Sequence, residues 1–344
     1  GFNRIESMRI WTRGHDVPIT IRMASFELVG SQWQASDPIS TEDSLMAGPG
    51  TLRVSSINNE EDPTYSPPLG AIIGRDRTSR GAQRLAREQS MVLTVDELQA
   101  NTQRGVFKTF TQGLDLLKYA NIRMHTHLHG ENSSAITKAA LNENLRLFVR
   151  FGTNEVDDYY EYEQPLTAGD LPDGSETRLE LWPLENEMNV TVSALNQLKV
   201  ARDANNAPLD SLFSNVDDDG AVRVPTPSSP DGTRLHIKGT PSLNSVNNIV
   251  IGVRHVGEEP VPLRDVALWV DELRVSGYDE EGGWAATAQA SVDLADFATV
   301  RGNFNRTTDG FGGLSSTLSE RDQSDTESWT LRTDVNFDQF LPAR

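Results

Sequence analysis

Three histidines alternate along one short stretch of the sequence, MHTHLHG. His125, His127 and His129 are two residues apart, so on a β-strand their imidazoles lie on one face. Such a row can bind Zn²⁺ or Ni²⁺, and Glu131 is close enough in sequence to act as a carboxylate partner. The alternative is a half-exposed strand whose polar histidines face water, which is the more common arrangement. Metal titration distinguishes the two interpretations.

An acidic run, Asp217, Asp218 and Asp219 followed by Gly220, has the composition of a calcium-binding loop. The alternation of ligands with spacer residues and the bidentate glutamate that such a loop requires are both absent. The run therefore predicts a solvated turn, and we predict no cofactor.

Catalytic motifs are absent from the sequence. It contains no G-x-S-x-G elbow, Walker loop, H-E-x-x-H helix or glycine fingerprint. It also contains no cysteine, which excludes disulfides, thiolate zinc sites and a cysteine nucleophile. Neighbouring carboxylates such as Asp271 and Glu272 are too common in this acidic chain to indicate an active site. We predict that the protein is not an enzyme, and a polysaccharide hydrolase is the least supported of the functions considered.

The charge of the chain limits its partners. Fifty acidic residues against 31 basic ones give a formal net charge of −19 at pH 7. This balance argues against nucleic acid as a partner, because phosphate binding requires a positive surface. No run of 18 or more apolar residues predicts a transmembrane helix, although a membrane-crossing strand needs only about 9 to 11 alternating residues.

The chain is predicted to have four segments. Residues 1–35 read as the last strands of a preceding β-sandwich, because their pattern of two alternating runs around a Gly and Pro turn returns near residue 246. Residues 36–89 are rich in Pro, Gly, Ser and charge, and read as an extended linker that requires partners. Residues 90–276 read as a β-sandwich, and residues 277–344 have a different pattern.

The predicted sandwich contains about eight short alternating runs separated by turn residues, which is typical of an antiparallel jelly roll. These runs are SMVLTVDEL, LDLLKYANIRMHTHL, LRLFVRFG, YYEYEQPL, TRLELWPL, TRLHIKG, NNIVIGVRH and ALWVDELRV. One segment, SALNQLKVARDAN, predicts a short helix. Trp182 and Trp269 are compatible with a carbohydrate-binding surface, although aromatic residues on strands more often form core.

The last segment predicts three strands. The first runs from about Trp284 to Leu294, the tight turn Ala295-Asp296 follows, and the second runs from about Phe297 to Arg306. A long polar loop at 307–328 leads to the third.

The third strand carries an apolar face that begins and ends with an aromatic residue. Trp329, Leu331, Val335 and Phe337 share this face, while the other face carries charged side chains. Aromatic residues at both ends of an apolar stripe are typical of a strand that crosses an outer membrane, and Trp284 is predicted to lie at the same interface. A solvent-exposed hairpin on a soluble sheet gives a similar pattern, and patterning alone does not decide between them.

Several segments resemble one family in the same order along the chain. They are MRIWTRGHDVPITIRMASFELVGSQW, VSSINNEEDPTYSPPLG, YYEYEQPL, ELWPLENE, ALWVDELRV, GYDEEGGWAATAQASVDLADFATV and GFGGLSSTLSERDQSDTESWTLRTDVNFDQFLP. The sequence resembles the SprA/Sov family, large outer-membrane proteins of gliding motility and type IX secretion in Bacteroidota.

The resemblance implies an all-β chain that is part of a large outer-membrane β-barrel translocon, which passes folded cargo to the cell surface. It implies partners of four kinds: other segments of the same barrel, plug and shuttle subunits, cargo with C-terminal sorting domains, and outer-membrane lipid. Three strands cannot close a barrel, so the chain alone is not expected to form a pore.

The resemblance and the loop lengths together predict an orientation. Outer-membrane barrels have short periplasmic turns and long extracellular loops. If Ala295-Asp296 is the periplasmic turn and 307–328 the outer loop, the sandwich at 90–276 lies on the extracellular or upper-lumen side. The alternative function is a secreted β-sandwich module that binds a glycan or a partner protein.

Overall fold

The computed structural model describes residues 33–35, 50–70, 88–130, 137–217, 219–226, 230–257, 262–278, 282–295, 297–312 and 324–337. The chain divides into two compact units, Gly1–Gly277 and Tyr278–Arg344. Most of the two segments predicted at 1–35 and 36–89 lies outside the described residues, as does Glu131. The four-segment division therefore stays a prediction.

The first unit consists mainly of antiparallel strands. They are β1 (Gln34–Ala35), β2 (Thr51–Asn58), β3 (Gln89–Asp96), β4 (Thr102–Leu114), β5 (Tyr119–Gly130), β6 (Leu145–Gly152), β7 (Tyr159–Pro165), β8 (Met188–Thr191), β9 (Phe213–Ser214), β10 (Arg234–Lys238), β11 (Val246–His255) and β12 (Val266–Tyr278). Seven strands form one sheet in the order β1-β4-β11-β6-β7-β10-β9, and five form the other in the order β2-β3-β12-β5-β8.

Eight of these strands have the connectivity of a jelly roll. Among them, the first strand pairs with the last, β3 with β12, and the second with the seventh, β4 with β11. The remaining pairs continue inward, β5 with β8 and β6 with β7. Successive pairs alternate between the two sheets, as in a rolled-up antiparallel hairpin. The prediction of an all-β antiparallel sandwich of this kind agrees with the strand order.

The core lies between the two sheets. Alternate residues of β6, namely Leu145, Leu147, Val149 and Phe151, point inward because successive side chains of a strand face opposite sides. They belong to one buried cluster with Leu268 and Val270 of β12 in the opposite sheet. Burial of these aliphatic side chains is the main source of stability of the unit.

The outer face of the seven-stranded sheet is also buried around β6 and β7. Phe148, Arg150 and Glu161 point away from the core between the sheets, yet each is at most 1% exposed. A charge can be buried only when it is paired, and Arg150 lies directly opposite Glu161 across β6 and β7. These strands are therefore dry on both sides.

The structure corrects two predictions about local elements. TRLELWPL was predicted as a strand, but Arg178–Leu181 form the helix α2. Thr177 and Glu180 make a capping box, in which each side chain accepts a hydrogen bond from the other residue's backbone N–H. The segment predicted as an extended linker, which was expected to pair little of its backbone, includes β2, and β2 pairs with β3 along its whole length.

The predicted helix is α3, Val192–Ala204, which buries Leu195 and Leu198. Two further helical segments were not predicted: α1 (Lys138–Asn144) and a 3₁₀ turn at Leu184–Asn186. No helix in the described residues is both long and apolar enough to span a bilayer.

The second unit contains one antiparallel sheet of three strands in sequence order. The strands are β13 (Ala285–Leu294), β14 (Ala298–Thr307) and β15 (Thr326–Val335). These bounds lie within a few residues of the predicted strands. The turn between β13 and β14 is tight, with the Phe297 N–H donating to the Leu294 carbonyl at 3.1 Å and Ala295 in the left-handed region at φ 48°. Asp296 lies outside the described residues.

Candidate functional site

The three-stranded sheet has one apolar face. Residues directly opposite each other across antiparallel strands share a face, and Ala288, Phe304 and Trp329 form one such row. The face consists of Ala286, Ala288, Ala290, Val292, Leu294, Ala298, Val300, Gly302, Phe304, Trp329, Leu331, Thr333 and Val335. The period of two along each strand and the unshifted register together gather these side chains on one side.

Much of this apolar face is exposed, mainly on the two outer strands β13 and β15. Trp329 is 74% exposed, Leu331 64% and Val292 52%. The corresponding side chains of the jelly roll, such as Leu147, are fully buried. A contiguous exposed apolar surface is unfavourable in water and marks a contact with another protein or with lipid. The apolar face is therefore the candidate functional site of the described chain.

Aromatic and charged side chains bound the apolar face. At the end nearer the long connection, the Arg306 guanidinium lies 5.4 Å from the centre of the Trp284 ring and 3.8 Å from the Glu327 carboxylate. At the opposite end Phe337 follows β15 and is 73% exposed. From Ala286 to Leu294 the face is about 26 Å long, at about 3.3 Å per residue. The nine residues of this stretch fall within the range of about 9 to 11 that a tilted membrane-crossing strand needs.

The other face of the sheet is polar. Arg301 and Arg332 lie opposite each other, and the Arg332 Nε donates to Asp334 at 3.2 Å. The Thr299 hydroxyl donates to Asp293 at 3.0 Å across β13 and β14. Two like charges directly opposite each other repel, and they are tolerated only where water or counterions screen them. The polar face therefore suits contact with water, and the other face suits an apolar environment.

The structure places the five residues predicted at a membrane interface as follows. Trp329, Leu331 and Val335 lie together on the apolar face, where Val335 is half-buried. Trp284 precedes β13 and Phe337 follows β15, and both are exposed. That these side chains contact lipid stays a prediction.

The histidine row lies on β5, as predicted, but it does not face water. His125, His127 and His129 are 9%, 2% and 3% exposed, so the interpretation as a wet face is wrong. The ring of His127 lies 5.2 Å from Trp269 and 6.4 Å from Trp182, measured between ring centres. The row is covered because the segments after β2 and around α2 fold over this sheet, a long-range contact that a local pattern does not encode.

Burial keeps the imidazoles neutral. It lowers the pKa of His127 to about 4 and that of His129 to about 3, because charging an imidazole in a dry site is unfavourable. Neutral imidazole is the form that ligates metals. The rings of His127 and His129 are 5.0 Å apart between centres. Metal binding by the row stays a prediction, with no carboxylate partner described, since Glu131 lies outside the described residues.

Another group of potential ligands lies on the outer face of the seven-stranded sheet. Glu161, Glu163 and His236 are buried and bring their ligand atoms within 4.8 Å of one another. Arg254 donates to both carboxylates, and the Arg150 Nε donates to Glu161 at 2.7 Å.

The arginines decide the chemistry of this group. Burial alone raises the pKa of the Glu161 carboxyl, but Arg254 and Arg150 outweigh it and hold the pKa at about 2. The carboxylate charges are already neutralised by guanidinium groups, which leaves little attraction for a divalent cation. The cluster is an ion-pair network that holds four strands together.

Sequence reasoning missed one buried polar cluster. Asp271 was dismissed as one acidic residue among many, but it is 6% exposed and accepts hydrogen bonds from Tyr65 at 2.8 Å and Ser90 at 2.9 Å. Burial raises the pKa of its carboxyl. The alternation of ALWVDELRV around Asp271 did not reveal this cluster, because both partners are remote in sequence. The three side chains join β3, β12 and the segment after β2.

The acidic run at 217–220 forms a turn, as predicted. The Gly220 N–H donates to the Asp217 carbonyl at 2.9 Å, and Asp217 forms an ion pair with Arg223. Asp218 lies outside the described residues.

The whole chain matches one protein family. Residues 1–344 match SprA_N, described as a motility related/secretion protein. No curated protein matches the chain significantly.

Proposed function

Because the chain belongs to the SprA_N family of motility-related and secretion proteins, we propose that it is a structural part of an outer-membrane protein-export channel. In this proposal β13, β14 and β15 form part of the wall of a large barrel. The jelly roll is a water-side domain of the same channel. The channel serves type IX secretion and gliding motility, and the chain itself performs no catalysis.

The observation that carries the proposal is the division of the three-stranded sheet into one apolar and one polar face. A barrel wall has lipid on its outside and water or cargo in its lumen, so its strands alternate with a period of two. Leu331 and Trp329 then face lipid, while Arg332 and Arg301 face the lumen.

The edges of the sheet indicate the partners. β13 and β15 each pair with only one described strand, β14, so each offers a free edge of backbone N–H and C=O groups. In a bilayer these groups require hydrogen bonds, and other strands of the same barrel supply them. Plug and shuttle subunits and cargo with C-terminal sorting domains are the further proposed partners.

The connections favour one orientation. The β13–β14 turn is short, whereas 18 positions, 308–325, separate β14 from β15. With the short turn on the periplasmic side, the jelly roll lies at the cell surface. Protease treatment of intact cells should cleave the jelly roll, and cleavage only after permeabilisation would contradict this orientation.

Cysteine scanning tests the lipid contact directly, since the chain has no cysteine of its own. Single cysteines at Thr330, Leu331, Arg332 and Asp334 carry an environment-sensitive fluorophore in outer-membrane vesicles. We expect quenching by nitroxide-labelled lipid at Leu331 alone, because only that side chain lies on the apolar face.

Two outcomes would contradict the proposal. Equal quenching at all four positions would mean that the two faces do not differ in solvent. If the fluorophore at position 331 reports an apolar environment but nitroxide-labelled lipid does not quench it, a protein covers the face.

A further inference from the structure

A large cavity opens inside the first unit, between the two sheets of the jelly roll. Its volume is about 1420 Å³. It lies where the core is incomplete, since Met91, Phe110, Leu273 and Val275 border it and are only partly buried. Small-molecule sites usually enclose about 300–1,000 Å³. The cavity is therefore suited to a larger occupant.

The cavity runs along the edge of a strand. Six consecutive residues of β12, from 270 to 275, border it. Successive side chains of a strand point to opposite faces of the sheet, so a cavity beneath one face borders only alternate residues. Contact with every residue places the cavity beside the β12 backbone itself.

This edge of β12 has no neighbour among the described strands. β3 pairs with β12 from Val266 to Val270 and no further. At Glu272 the backbone is left-handed, with φ 49°, an irregularity of the kind that ends pairing at a bulge. Beyond it the strand continues to Tyr278. Across the cavity, β4 likewise extends past Phe107, where its pairing with β1 ends.

The charges around the cavity favour a neutral or basic occupant. Among the described residues, four carboxyl groups border it, against two cationic groups. Arg274 is already paired with Glu272 at 2.6 Å, and the Lys108 ammonium lies 5.2 Å from the centre of the Phe110 ring. Asp115 and Asp271 border the cavity without an ion pair to either cation.

We propose that this cavity binds an extended polypeptide segment, which adds a strand to β12 where β3 ends. The segment hydrogen-bonds to the β12 backbone beyond Glu272 and inserts alternate apolar side chains beside Phe110, Leu273 and Val275. Basic residues at the ends of the segment form ion pairs with the carboxylates that border the cavity. Main-chain hydrogen bonds supply affinity in this mode, and the pockets for alternate side chains supply selectivity. The proposal does not depend on the membrane role of the second unit.

The test uses a fluorescent peptide and the 344-residue chain kept soluble with an amphipathic polymer. The peptide has ten residues of alternating valine and threonine with a lysine at each end, and binding is followed by fluorescence anisotropy. A matched peptide carries N-methyl groups on alternate residues, which removes the N–H donors that would reach β12. We expect the methylated peptide to bind at least ten-fold more weakly.

Two variants of β2 locate the site. Ser55 borders the cavity and is exposed, so Ser55→Trp should obstruct the cavity without disturbing the core and weaken binding at least ten-fold. Thr51 lies four residues earlier on the same face of the same exposed strand, and it does not border the cavity. Thr51→Trp should leave the affinity unchanged.

Three results would overturn the proposal. Equal affinity of the two peptides would exclude strand addition, and equal effects of the two tryptophan variants would place the peptide elsewhere. Absence of peptide binding together with binding of palmitate, measured on the same protein, would assign the cavity to an acyl chain.

Discussion

The two β-regions of this molecule differ in how far the faces of their strands are buried. In the jelly roll, β6 and β7 are buried on both sides. Their buried charged residues form ion pairs, such as Arg150 with Glu161. In the three-stranded sheet β13 and β15 are exposed on both sides, and each strand has a mainly apolar face and a mainly polar face. Clean alternation thus marks a sheet between two different environments, whereas a sheet covered on both sides mixes apolar residues with paired charges.

The largest expected effect is on the buried charge network. Glu161→Leu leaves Arg150 and Arg254 without this carboxylate in a dry site, and we expect it to lower the free energy of unfolding by about 3–5 kcal/mol. Urea denaturation of the whole chain, followed for each unit, measures the change. Asp334→Ala removes a partner of Arg332 from an exposed pair and should change stability by about 0–1 kcal/mol. Similar effects of the two substitutions would remove the distinction between the regions.

A second comparison places the same charge on the two faces of β15. Leu331→Arg should disfavour assembly of the full-length protein in the outer membrane by about 2–4 kcal/mol, because the side chain is proposed to lie in lipid. Thr330→Arg, on the polar face, should be tolerated. The readout is the amount of protein recovered in purified outer membranes, and equal recovery of the two variants would contradict the lipid contact.

The buried histidines predict a dependence on pH in the jelly roll alone. The pKa values of His127 and His129 in the folded state, about 4 and about 3, lie below the ordinary 6.5. Between pH 6.5 and 4 the unfolded chain therefore binds protons that the folded chain does not, and stability falls as pH falls. Each imidazole should contribute about 1.4 kcal/mol per pH unit within this window.

Urea denaturation at pH 7 and pH 5 measures this slope. The double variant His127→Phe, His129→Phe retains ring packing against Trp269 and should lose the part of the slope that these two imidazoles contribute. Burial also lowers the pKa values of His125, His236 and His255, which keep their share of the slope. An unchanged slope in this variant would assign the pH dependence to other groups.

The smallest expected effect concerns metal. With the imidazoles packed against Trp182 and Trp269, we expect Zn²⁺ to leave the Tm of the chain unchanged. A rise in Tm that depends on Zn²⁺ concentration and disappears in His127→Phe would instead establish a metal site.

The strands of both regions were largely predictable, because the period of two is a local property. LRLFVRFG matches β6 residue for residue, and the three strands of the second unit lie within a few residues of their predicted bounds. The strand predicted for TRLELWPL was wrong because Thr177 and Glu180 form a capping box, which stabilises the start of a helix there. The period also missed β4, whose second half is mostly exposed and polar.

The residues of the candidate sites were only partly predictable. The apolar stripe of β15 follows from its sequence, but its extension across β13 and β14 depends on the register of the sheet. The burial of Asp271 depends on Tyr65, 206 positions away, and the edge cavity depends on where β3 stops pairing.

The sequence by itself determined the strand period, the absence of cysteine chemistry and the two-sided character of the last three strands, since each depends on residue types at fixed local spacing. The tertiary structure alone decided that the histidine row is buried, that Glu161 is neutralised by arginines and that β3 pairs with only part of one edge of β12. These properties depend on which distant segments cover or pair with a strand, and burial and pairing arise only when the chain has folded.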